Sequence, residues 1–518
     1  MRLGRLVTQT QRLISYHLKY PIPCRAIFPN PENFSGRLFD RTAIRSKLTE
    51  LCPLSFLVPA VLESLVASTQ YRDITEVVPG EADLYCAKYL KQNGGIILTG
   101  DSDLLVHDLG PDGAVSLFRD VEFPSIDNFD RLCTKLFQQS TIIDRLALPK
   151  SHGLHTLAFE MTMDNHGTFP KLLAQAKVLR AVSAHPEMYA EYSKEYKQLP
   201  PNLEAENGDY AEVVNVLKRL DPRISEYALQ FPSLATIAGQ SPLENTDPRT
   251  PHIFLPFLID CPVRTNAWEV SSTTRQLAYG LINLAVPKKE RTFTIFEHRK
   301  QHDKSIARGR ELQLPNIAQI SEACTAVSNL FQQLQDKHPK LSGAQIWTAV
   351  AVNQELEWSH ANSRSPLSQI IVQEFEFLES KTKLARTFTW DILHFFAQIQ
   401  GSYYSLRILK QITGLVISHS CGDSIPQSLL LLNQQLESLP SMTDLADLSH
   451  VPSLLQTIPA TLIPEKSTIL AQSIEHRSVQ GQESRRVAKR KRMRGNGLVE
   501  PSVARGKLNN PFDVLADE

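Results

Sequence analysis

Apolar residues recur at helical spacing from the start of the chain. Leu3, Leu6, Val7, Leu13 and Ile14 predict a helix over residues 1–17. A second apolar helix is predicted over 53–68, through Phe56, Leu57, Val61, Leu62 and Leu65. A short β-branched run at 74–78 predicts a strand, broken by Pro79-Gly80. The helix expected over 81–92 stops at Asn93-Gly94-Gly95, a C-cap signal. Ile96-Ile97-Leu98 then reads as a buried strand running into the polar cluster Thr99-Gly100-Asp101-Ser102-Asp103. Further short strands are expected at 104–107 and 115–118, around the turn Gly110-Pro111-Asp112-Gly113. Strand, helix, strand in this order implies a right-handed βαβ unit and a parallel sheet, so residues 1–150 read as α/β.

After about residue 150 helical patterns dominate, over 319–335, 343–354, 369–378 and 387–399. The last aligns Phe388, Ile392, Phe395, Phe396 and Ile399 on one face. Pro/Asn/Asp-rich breaks at 199–209 and 239–252 read as long loops, and from about 464 the apolar periodicity fades. The expected division is an α/β domain over 1–150, a mainly α-helical domain over 151–463 and a disordered basic tail over 464–518.

Composition narrows the class. At about 150 residues per domain, 518 residues suggest two to four domains. Apolar residues are 42% of the chain, which excludes wholesale disorder, and 55 basic residues cancel 55 acidic ones. Bulk charge therefore holds the chain to neither nucleic acid nor membrane, and any such binding must be local. The longest apolar stretches, 254–259 and 429–432, fall well short of the roughly 20 residues a membrane span needs. The N-terminus mixes basic and polar residues among its apolar ones, unlike a secretory signal. Seven scattered cysteines without a CxxC pair argue for a reducing compartment and against a zinc site. A soluble, unsecreted protein with no membrane partner is expected.

The candidate chemistry lies in Glu81, Asp83, Asp101 and Asp103. A helix of ten or so residues leads about 15 Å away from Glu81, and the strand returns about 17 Å, which brings Asp101 back level with it. Asp101 and Asp103, two apart in an extended segment, share a face. Glu81 and Asp83 converge if Glu81 lies at or before the helix cap. The carboxyl edge of a parallel sheet is where α/β folds bind ligands. Clustered carboxylates repel one another unless a cation neutralises them, and oxygen donors suit Mg²⁺ or Mn²⁺. Two such ions about 4 Å apart would serve phosphodiester cleavage. Read singly, Glu81 and Asp83 would complement a helix dipole, and Asp101-Ser102-Asp103 would be a solvated turn.

Gly80-Glu-Ala-Asp-Leu-Tyr-Cys-Ala87 followed by Thr99-Gly-Asp-Ser-Asp-Leu-Leu-Val-His-Asp-Leu-Gly110 resembles the internal region of the flap endonuclease/XPG superfamily. The likeness is to its Asteroid branch and covers about residues 50–120. The resemblance implies a PIN-like parallel sheet with flanking helices and catalytic metal-ligand roles for Glu81, Asp83, Asp101 and Asp103. It also implies Mg²⁺ or Mn²⁺ as cofactor and branched or single-stranded DNA or RNA as substrate. The superfamily's opening strand with its Asp, and a later Asp in a DG-type turn, have no counterpart ahead of Glu81. In place of a GxDY segment stands Met161-Thr-Met-Asp164-Asn-His, which makes Asp164 a further candidate ligand. Arg2, Arg5 and Arg12 stand where family members place phosphate-contacting residues. The alternative is a catalytically inactive PIN-like nucleic-acid-binding or adaptor protein.

Arg37, Arg41 and Arg45, spaced four apart, would form a phosphate-binding stripe or a solvated face on a helix. Tyr189, Tyr192 and Tyr196 share a helical face that serves either base stacking or packing. In the tail, Arg485, Arg486, Lys489, Arg490, Lys491, Arg492 and Arg494 read as a nuclear import signal or a nucleic-acid contact. A nuclear location, otherwise cytoplasmic, is expected. Asn510-Pro-Phe-Asp-Val-Leu offers a docking peptide for a protein partner.

Overall fold

The computed structural model describes residues 2–20, 55–80, 82–121, 133–164, 166–197, 211–238, 250–300, 309–369, 371, 389–419 and 425–443. They belong to a unit running from Met1 to Ile458. The expected tail over 464–518, its basic run and its docking peptide lie outside the described residues.

Helix α1 (Arg2–Lys19) and helix α2 (Leu57–Ala67) form where the apolar spacing placed them. Helix α3 (Ala82–Asn93) ends as expected: Gly94 takes φ 67° and donates its N–H to Leu90 O at 2.7 Å. Strand β1 (Gly95–Thr99) pairs in parallel with β2 (Gly113–Leu117), in the register Gly95↔Gly113 to Thr99↔Leu117. Two expectations fail here. Residues 75–78 form no strand; a 3₁₀ turn over Arg72–Ile74 precedes them, with Ile74 80% exposed. The parallel crossover therefore runs through residues 100–112 rather than through α3. Residues 104–107 form no strand either, because Ser102–Val106 is a 3₁₀ helix. Leu104, Leu105 and Val106 are all buried in succession, which the alternating faces of a half-buried strand would not allow.

Helices α4 (Gln139–Leu146), α5 (Leu154–Met163), α6 (Phe169–Lys177), α7 (Arg180–Ala184) and α8 (Pro186–Lys197) follow. The tyrosine stripe of α8 packs: Tyr189 and Tyr192 each lie 5.2 Å from the Phe159 ring, and Tyr196 lies 4.9 Å from His107. Next come α9 (Ala211–Leu217), α10 (Pro222–Ala228) and α11 (Pro232–Ile237).

The second half, expected to be mainly helical, also holds a mixed sheet. Strands β3 (His252–Phe254), β4 (Thr294–His298) and β5 (Arg310–Gln313) run in the order β3-β4-β5, the first pair parallel and the second antiparallel. Helix α12 (Ser272–Ala285) joins it to α13 (Ile317–Lys337) and α14 (Gly343–Ala361), which both start on complete capping boxes, Asn316 with Gln319 and Ser342 with Gln345. Helix α15 (Trp390–His419) is buried around most of its circumference, polar residues such as Gln398, Ser405 and Thr413 included, where a single apolar face was expected, and forms the hub; α16 (Gln427–Leu436) completes the assembly. Of the helix expected at 369–378, residues 372–378 lie outside the described residues. Gly401 lets α15 approach Trp268, whose ring a Cβ there would meet at 3.3 Å.

Helices α1 and α2 dock on this hub. Leu13 and Tyr16 pack with Ile259, Trp390 and Leu393, while Phe56 stacks on Tyr404 at 5.0 Å. No helix among the described residues is long and apolar enough to cross a membrane.

A buried histidine gives the hub a pH dependence. His394 is 2% exposed and its Nδ1 accepts the Cys261 N–H at 3.3 Å. Burial, helped by the positive charges of Arg264, Lys300 and Arg364, lowers its imidazole to about 3. The unfolded chain thus takes up a proton near pH 6.5 that the folded one refuses. The associated stability is present above pH 6.5 and is lost as pH falls towards 3. At pH 5 the loss is about 2 kcal/mol. Between pH 7.5 and 5.0 the unfolding free energy from urea titration should fall by about 2 kcal/mol more in wild type than in His394→Asn; equal falls would refute the assignment.

Candidate active site

Asp83 sits in the first turn of α3, half-buried. Asp101 lies two residues beyond β1 in extended conformation (φ −108°, ψ 124°). Thr99 Oγ1 accepts the Asp101 N–H at 3.0 Å, and Asp101 Oδ1 accepts the Asp103 N–H at 3.1 Å. That second bond caps the 3₁₀ helix, so Asp103 stands on a helical turn rather than in the extended segment expected.

The two elements bring their acids together. Burial raises the Asp83 carboxyl above its ordinary value, and the negative charge of Asp101 raises it further. A helix N-terminus favours the carboxylate form, whereas desolvation and like-charge repulsion both act against it here. One turn along α3, burial and Asp83 push the Cys86 thiol up as well. Glu81 lies outside the described residues. Among the described residues no group of three or more His, Cys, Asp and Glu is placed to hold a metal ion.

The loop behind the acids is tied down on both sides. Lys91 of α3 bonds Asp108 at 2.6 Å, and this hydrogen bond holds the Asp108 carboxyl below its ordinary value. Gly110 takes φ 72° against α3, where a Cβ would sit 3.1 Å from Lys91 Cα. From α4, Gln139 Nε2 donates to the carbonyls of Leu105 at 2.6 Å and His107 at 2.5 Å. His107 is buried and its imidazole lowered, first by burial and then by His155, so it stays neutral around pH 7. Gln139 carried no sequence signal, because its partners lie more than thirty positions away.

The remaining candidates are placed as follows. Asp164 ends α5, bonds Lys171 at 2.7 Å and accepts the His166 N–H at 3.3 Å. Arg12 is exposed on α1, and Arg2 and Arg5 lie on the same helix. Arg37, Arg41 and Arg45, like the basic residues from Arg485 to Arg494, are outside the described residues.

A family model described as XPG domain containing matches residues 53–313, just over half of the 518. The match spans both carboxylate segments, α4 to α12 and the β3-β4-β5 sheet. No curated protein and no solved structure matches the chain.

Proposed function

Because the chain belongs to the XPG domain containing family, we propose that it is an Asteroid-type nuclease hydrolysing phosphodiester bonds of DNA or RNA with Mg²⁺ or Mn²⁺. Supporting this reading are the family match over residues 53–313 and the placement of Asp83 in the first turn of α3 and of Asp101 just past the end of β1, where burial and then the Asp101 charge raise the Asp83 carboxyl.

The donors suit such an ion. Mg²⁺ is commonly held by one or two carboxylates, with waters and substrate phosphates completing its shell. Asp83 and Asp101 supply that number, with Asp103 on the turn that Asp101 caps, and Glu81 is the further ligand we assign. A bound dication would neutralise the acids and stabilise the oxygen charge that develops during cleavage. The chain's own part is orientation. Thr99 Oγ1 holds the Asp101 backbone N–H and the Asp103 N–H holds the Asp101 carboxylate, while half-burial raises the Asp83 carboxyl. We assign Asp164 a peripheral place in the same site and Arg2, Arg5, Arg12, Arg37, Arg41 and Arg45 the backbone of a DNA or RNA strand, branched or single.

The test is a Mn²⁺ titration followed by paramagnetic resonance. Wild type should bind, more weakly as pH falls because protons compete at Asp83, and Asp101→Asn should weaken binding at least tenfold. Equal affinity in the two proteins would remove Asp101 from the site. We further propose that Arg485 to Arg494 act as a nuclear import signal. Reversing the charge of Lys489, Arg490, Lys491 and Arg492 should move the protein to the cytoplasm, and unchanged nuclear enrichment would refute that role.

A further inference from the structure

The turn that leads into Asp83 is fastened to the helical half of the molecule. Gly80 takes φ 82°, a left-handed conformation that glycine adopts without strain. Its N–H donates to Ser225 Oγ of α10 at 3.0 Å, across 145 positions of sequence. Ser225 is fully buried and gives its own hydroxyl proton to Pro222 O at 2.9 Å. The direction of both bonds is therefore set: Oγ presents lone pairs to Gly80.

Helix α10 is itself locked. Its N-cap Asp221 has a fully buried side chain. One carboxylate oxygen accepts the Arg223 N–H at 3.0 Å, and the other accepts Arg407 Nη1 of α15 at 3.0 Å. The Asp221 N–H donates to Gln411 Oε1, also on α15, at 2.8 Å. Arg407 extends the lock to α2 by donating Nε to Glu63 Oε1 at 2.9 Å. An arginine that bridges two carboxylates is a stiff joint, and loss of its bond to Asp221 would leave a fully buried carboxylate without its counter-charge.

We infer that Ser225 is a positioning residue for the acid turn, and that Arg407 acts on the same turn through Asp221. The start of α3, and with it the approach of Asp83 to Asp101, is set by helices α10 and α15. Arg407 lies beyond the stretch 53–313 that carries the family likeness, so the site depends on residues outside that stretch. The inference refers to the acid site proposed above, but the fastening of the turn is a separate claim with its own measurement.

The experiment uses the full chain with Ser225→Ala, Ser225→Thr and Arg407→Lys, followed by peptide-resolved hydrogen exchange and Mn²⁺ titration. Ser225→Ala should speed exchange over residues 76–86 at least tenfold and leave β2 and α15 unchanged. It should also weaken Mn²⁺ binding at least fivefold. Ser225→Thr, which keeps the oxygen, should restore both, and Arg407→Lys should show the same local acceleration. Unchanged exchange over 76–86, or acceleration spread evenly over all peptides, would overturn the inference. If wild type binds no Mn²⁺ the nuclease reading falls, and the exchange result alone still decides whether Ser225 holds the turn.

Discussion

Replacing Arg275 with alanine should destabilise the folded chain by about 3–5 kcal/mol, the usual cost of leaving one member of a buried ion pair alone. Neither Arg275 nor Glu297 exposes any side-chain surface. Arg275 Nε and Nη2 meet the two Glu297 oxygens at 2.6 and 3.0 Å. The other guanidinium hydrogens go to Ser271 Oγ, Ser405 Oγ and Trp268 O. Burial alone would raise the Glu297 carboxyl, yet Arg275 and then Arg299 hold it below its ordinary value. Without Arg275, the Tyr279 hydroxyl at 3.2 Å and Arg299 at 3.6 Å remain beside it. The pair bridges α12 and β4, with α15 joined through Ser405, so its loss loosens the hub. Urea denaturation of Arg275→Ala measures the cost. The double variant Arg275→Met, Glu297→Leu should recover most of it, because apolar replacement of both partners removes the uncompensated charge. A loss below about 1 kcal/mol in the single variant would contradict this account.

Asp101→Ala should lower phosphodiester cleavage by about a thousandfold, which corresponds to about 4 kcal/mol of transition-state stabilisation. The Asp101 charge helps raise the Asp83 carboxyl and its side chain caps the turn that carries Asp103, so one substitution removes a proposed ligand and frees a second proposed one. Asp108→Ala is the matched control from the same motif. Its ion pair with Lys91 is more than half exposed on both sides, and such pairs contribute at most about 1 kcal/mol. Cleavage should therefore survive that change within a fewfold. Equal losses in the two variants would mean that the acids act through loop stability rather than through chemistry.

What the sequence made legible was local. The end of α3 at Asn93-Gly94-Gly95 and the existence of strand β1 follow from short-range rules. But β1 is not the buried strand expected, since Ile96 is 58% and Leu98 47% exposed, and Asp103 stands on a 3₁₀ turn rather than beside Asp101 on an extended segment. Most of the failures come from distant partners. Residues 75–78 have the β-branched composition of a strand, but composition does not supply a neighbouring strand to pair with. At 104–107 the apolar run concealed a 3₁₀ turn that the Asp101 side chain caps. The β3-β4-β5 sheet escaped notice because its strands are short and carry buried polar residues such as Glu297, whose partner Arg275 comes from another element. Ser225 and Gln139 left no trace for the same reason. Each bonds backbone groups that no sequence spacing connects to it.

The most direct test of the central claim is incubation of the 518-residue protein with an end-labelled single-stranded oligonucleotide and Mg²⁺. Wild type, Asp101→Asn and an EDTA control are run in parallel. The account predicts products that need Mg²⁺ and that fall to the background of the EDTA control in Asp101→Asn. Cleavage that persists in Asp101→Asn, or no Mg²⁺-dependent cleavage by wild type, would contradict it.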